Sequence, residues 1–119
     1  MKTIEIPRAE WAEFFDGFNR RHKGWLVTTE LVGTSHRVEA RDLPLEGITP
    51  DLRVGADQME IAVGNRVDAH LSHAVTSPTH VYLSQTAEVA DESVEIQSIT
   101  GAVVVRFRSA VLPEMVDGL

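Results

Sequence analysis

Five histidines and no cysteine bound the chemistry this chain can carry. Disulfides, thiolate metal sites and thiol catalysis are excluded by composition. Three histidines fall close together: His70 and His73 in the run HLSH, and His80 just beyond it. Imidazoles with a nearby carboxylate are the raw material of a divalent-metal site. The i, i+3 spacing of His70 and His73 would suit a helix face. Here the flanking residues alternate as a strand, and an odd separation on a strand sends the two rings to opposite faces. Only a bulge would unite them, or a site that joins His80 and one of them to Glu60 or Asp57. The ordinary reading is one solvated, one partly buried and one turn histidine. No metal and no cofactor are therefore assigned, and His70, His73 and His80 stand as metal candidates only.

Acid–base chemistry would draw on His73 and Asp57. Strands are expected at Gln58–Val63 and Val67–Val75, both alternating with apolar residues on one face. Side-chain parity favours a three-residue loop, Gly64-Asn65-Arg66, which pairs Val63 with Val67 and Ile61 with Ala69. That register sets Glu60 opposite His70 outside and Asp57 opposite His73 inside. A carboxylate beside an imidazole is functional in some sites and structural in more. Ser72 lies on the opposite face from His73, and no nucleophile-elbow motif exists. His73 and Asp57 are the catalytic candidates, with nothing to make turnover the leading expectation.

These residues are positioned by a longer pattern. Trp11, Phe14, Phe15 and Phe18 form one stripe of an amphipathic helix over Ile6–Gly24, and they are four of the seven aromatic residues. Burying each stabilises by roughly 2 kcal/mol, so this face must dock on an apolar surface. Pro7 suits the first turn and Gly24 the exit. Arg20, Arg21, His22 and Lys23 read as cations complementing the negative helix end, with a phosphate-binding patch as the sharper alternative. Strands are expected at Trp25–Val32, Arg37–Asp42, Val81–Thr86, Val94–Ser98 and Ala102–Arg108, with Met1–Glu5 as a short strand or lead-in. The last hairpin should pair Ile96 with Val105 and Glu95 with Arg106. Ala87–Ser93 is acidic and reads as a loop. Leu43–Ala56 carries two prolines and two glycines and reads as a long apolar loop.

At 119 residues and 43% apolar composition the chain fits one domain, residues 1–119. The net charge of −7 argues against a nucleic-acid footprint. No leader peptide and no membrane span are expected, which makes a cytoplasmic setting the default. The expected architecture is α+β. One N-terminal amphipathic helix packs on a twisted antiparallel meander of about six or seven strands, which a small open barrel would also satisfy.

Four segments, IPRAEWAEFFDGFNRRHKGWLVT, VEARDLPLEGI, TSPTHVYL and VVVRFRSAVLPEMVDG, together resemble a bacterial family known as domain of unknown function 5335. The resemblance spans essentially the whole chain. It implies a bacterial, cytoplasmic protein and supplies no activity, cofactor or catalytic residue. The functional expectation is a non-catalytic module acting by protein association or as a homodimer, with no nucleic acid and no membrane partner. The alternative is a small enzyme or small-molecule binder with a pocket between the helix, the sheet and the 43–56 loop.

Overall fold

A computed structural model of the chain describes residues 2–33, 35–53, 55, 57–64 and 70–111. The chain opens with strand β1 (Lys2–Ile6), followed by a 3-10 turn at Arg8–Glu10 and helix α1 (Trp11–His22). Seven strands follow: β2 (Leu26–Val32), β3 (His36–Asp51), β4 (Gln58–Val63), β5 (Leu71–Thr76), β6 (Pro78–Gln85), β7 (Asp91–Ser98) and β8 (Gly101–Val111). The eight strands form one open antiparallel sheet in the order β1-β6-β7-β8-β2-β3-β4-β5. The N-terminal segment is thus a true strand, one more than the alternation alone secured.

The sheet folds over on β3. Its first half pairs with β2 and its second with β4, and the change of partner falls at Pro44 and Leu45. Pro44 has no N–H to give, but its carbonyl accepts from Gly64 N–H at 2.7 Å. The stretch expected as a loop over 43–56 is therefore strand as far as Asp51. Its prolines and glycines mark a corner and not a break. Irregular pairing of β2 with β3 around Thr29 sharpens the bend.

The link from β5 to β6 is Ser77 alone, at φ +52°, although side-chain parity predicts a five-residue loop, Thr76–His80, that pairs Val75 with Val81 directly. The two strands it joins are not neighbours. β5 is one edge of the sheet, and β6 lies beside β1, the other edge. A single-residue joint between them requires the two ends of the sheet to curl towards each other.

Inside the curl, one cluster gathers Ile48, Ile61, Val81, Val94, Ile96 and Val105 with Trp11, Phe15 and Phe18 from α1. The helix stripe is buried as expected, with Phe14 partly so. Asn19 fixes the helix on β3: its Nδ2 donates to the Ile48 carbonyl and its Oδ1 accepts from Ile48 N–H, each at 2.9 Å.

Two expected registers shift without changing parity. β4 and β5 pair Val63 with Leu71 and Ile61 with His73, four residues from the expected match. The proposed loop residues Asn65 and Arg66, with Val67–Ala69 and the tail 112–119, lie outside the described residues. β7 and β8 pair Val94 with Val105 and Ile96 with Val103, two residues from expectation, so Glu95 faces Val104. Arg106 instead reaches Glu30 on β2, at 3.1 Å. Asp91 begins β7 and is buried, where a loop was expected.

Candidate functional site

The curl leaves a cleft of about 400 Å³ between β5, the end of β2 and the β7–β8 hairpin. Leu31, Val75 and Val103 form its apolar wall, and Ser35, Thr76, Ser98 and Thr100 supply hydroxyl-bearing side chains. Gly101 closes one side. Its φ is +144°, and a Cβ there would lie 2.5 Å from the Val32 carbonyl oxygen. Only glycine lets β8 approach β2 so closely.

His73 is the cleft's titratable residue. β5 holds it on the inward face with Leu71 and Val75, opposite buried Ile61. Its Nδ1 meets Glu39 Oε2 at 3.0 Å. Glu39 comes from β3 at the irregular pairing, where Thr29 matches Ala40 and Glu30 matches Val38, so Glu39 is the extra residue. The bulge turns its carboxylate inward towards β5. Its second oxygen, Oε1, is buried without a partner among the described residues, as is Thr29 Oγ1.

A second histidine–carboxylate pair lies at the far end of α1. His22 is fully buried, and its Nε2–H donates to Asp91 Oδ2 at 2.9 Å. Gln85 Nε2 donates to Asp91 Oδ1 at 3.0 Å. The His22 ring sits between Phe18 and Phe107, with centroids 4.7 Å and 4.6 Å away. Burial pushes the Asp91 pKa up. The hydrogen bonds from His22 and Gln85, with the charges of His22 and Arg21, outweigh burial and hold the carboxyl below its usual value. This network ties α1 to β6 and β7.

A family described only as of unknown function, DUF5335, matches residues 2–114. The chain belongs to DUF5335. No curated protein and no solved structure matches it.

The remaining candidates in this DUF5335 domain are dispersed. Asp57 does not face His73: it takes Arg8 Nη2 at 2.6 Å, and its carbonyl accepts from Ser77 N–H. The expected Asp57–His73 pair fails because β5 pairs four residues further along. Glu60 accordingly sits opposite Ala74, not His70. His70 pairs with Glu46 at 2.9 Å, and His80 stacks on Tyr82. Among the described residues no three histidine or acidic groups converge, so His70, His73 and His80 are held apart. A pocket was also expected between helix, sheet and the 43–56 segment. Asn19, Phe15 and Phe18 are packed on that side, and the cleft bearing His73 lies elsewhere.

Residue reading missed Glu39, His22 and Asp91. Only His22 carried a signal. It continues the stripe of Trp11, Phe15 and Phe18 at helical spacing, although it was grouped with Arg20, Arg21 and Lys23. No helix is long and apolar enough to cross a membrane among the described residues.

Proposed function

We propose that this domain binds a small, largely apolar molecule in the cleft bearing His73. One observation carries the reading. Among the described residues that line the cleft none is Lys, Arg, Asp or Glu, although those types make up 24% of the chain. An ordinary solvated groove on an acidic chain would include several. Apolar walls, a few hydroxyls and one imidazole are the usual make-up of a small-molecule site, and about 400 Å³ lies in the range of such sites. The pair of His73 with Glu39 replaces the expected pair with Asp57. The reading assigns binding and no turnover.

Native mass spectrometry of gently purified protein tests it. Extra non-covalent mass should be present in the wild type and in His80→Ala, outside the cleft, and absent from Ala102→Trp, which fills it. Mass retained in Ala102→Trp would place the ligand elsewhere.

A second reading, association with a protein or another copy, has its own support. Val32 and Ile99 are 40% and 80% exposed, and both stand at the cleft mouth, Ile99 between Ser98 and Thr100. Exposed apolar side chains beside a groove are a familiar docking feature. Sedimentation velocity over a wide concentration range should then show a larger species that Ile99→Asp removes.

A further inference from the structure

We infer that the cleft selects molecules that present a hydrogen-bond donor, a hydroxyl or an N–H, to His73 Nε2, and that Glu39 is the positioning residue that makes this nitrogen an acceptor. The inference rests on the cleft-binding reading and specifies the class of ligand.

An ionised carboxylate accepts hydrogen bonds and never donates them. Glu39 Oε2 lies 3.0 Å from His73 Nδ1. The proton between them therefore belongs to Nδ1. A neutral imidazole carries one N–H, so Nε2 is left with a lone pair.

The surroundings strengthen the assignment. Glu39 Oε1 has no partner among the described residues, so His73 is the donor this carboxylate has. The Glu39 and His73 side chains are 17% and 30% exposed, so the pair is half-covered and its contact is held in one arrangement. The bulge in β3 holds Glu39 in place from the backbone. His73 is fixed at the other end by the pairing of β5 with β4.

A lone-pair nitrogen in an otherwise apolar and hydroxyl-lined cleft sorts ligands by polarity. An alcohol or amide N–H satisfies it. An ether or ketone of the same shape leaves two acceptors facing each other. The serine and threonine hydroxyls can donate or accept, so they do not discriminate. His73 supplies the discrimination, and Glu39 sets its sign.

The test uses the full chain labelled with nitrogen-15, with cyclohexanol and methoxycyclohexane as probes of one apolar body. The imidazole spectrum of the free protein should show protonated Nδ1 and bare Nε2 on His73. Glu39→Gln, whose side-chain amide can donate as well as accept, should give a mixture of tautomers while the backbone amide spectrum stays native. Cyclohexanol should shift His73 Nε2 and the amides of Ala102 and Val103. The methyl ether should bind about tenfold more weakly, the loss of one hydrogen bond, and Glu39→Gln should narrow that gap. A proton on Nε2 in the wild type, or equal binding of alcohol and ether, overturns the inference and leaves the cleft reading standing. Failure of both probes to move any cleft resonance overturns the cleft reading, and the inference with it.

Discussion

The molecule contains two histidine–carboxylate pairs with nearly the same contact distance, 2.9 Å for His22–Asp91 and 3.0 Å for His73–Glu39. Their surroundings differ in every other respect. His22 and Asp91 have side chains 0% and 3% exposed, and aromatic rings close on the imidazole. His73 opens onto a cleft. The first pair has no access and a second donor, Gln85, to complete its carboxylate. The second has access and an incomplete carboxylate; its free ring nitrogen can meet a ligand, whereas His22 Nδ1 is buried without a partner among the described residues. A histidine beside an acid is thus no function in itself. Closure makes one an anchor, and exposure leaves the other able to meet a ligand.

Stability measurements should separate the two most sharply. Asp91→Ala strands the His22 ring and the Gln85 amide in the core, and urea unfolding should show a loss of about 3 kcal/mol. Replacing both partners together, His22→Phe with Asp91→Leu, should recover most of that loss, because matched apolar groups need no partner. If the single and double variants are equally unstable, the network is more than an anchor.

The cleft should owe its shape to backbone more than to its histidine–carboxylate contact. Gly101→Ala forces a Cβ against the Val32 carbonyl at a φ unfavourable to alanine, and should cost about 2 kcal/mol by thermal unfolding. Acid should act through the buried pair. The folded pKa of Asp91 is depressed, so its contribution is present above the ordinary carboxylate value near pH 4 and lost as pH falls through the lower folded value. Urea midpoints between about pH 5 and pH 2 should therefore fall less steeply in Asp91→Asn than in the wild type. The smallest effect belongs to the open pair. His73→Gln should change unfolding free energy by less than about 1 kcal/mol, as partly exposed pairs do, while removing alcohol binding in the cleft.

How much of this was legible differs by kind of signal. Faces were legible, because side-chain alternation records which residues are buried together. Ile61, Val63, Val75, Val94, Ile96 and Val105 all lie inward as read. Registers were not, because a period of two is satisfied equally by shifts of two or four residues. The β4–β5 shift of four kept the same residues facing inward, with Val63 now beside Leu71 and Met59 beside Val75, while replacing Asp57 with Ile61 as His73's neighbour. Local breaker residues misled where tertiary context reassigned them. Pro44 and Pro50 sit within β3, the first at the point where the strand changes partners. Glu39 was illegible for a related reason. A bulge moves a residue across the alternation from which its face was inferred. Asp91 looked like one acid in a solvated stretch, since nothing local records a contact with a residue 69 positions away.

That same long reach governs how the protein is made. β1 leaves the ribosome well before β6, yet β6 is its partner in the sheet, with Ile4 beside Leu83. His22 likewise waits for Asp91. At about 5–20 residues per second, the nascent chain carries an unpaired strand edge and an uncovered aromatic helix face for roughly 4–16 seconds. The hairpins of β2 to β4 can close during that interval, but the N-terminal segment cannot be secured until most of the sheet has been translated. Its residues are therefore placed late, and a shielding chaperone would act on this domain through β1 and the open face of α1.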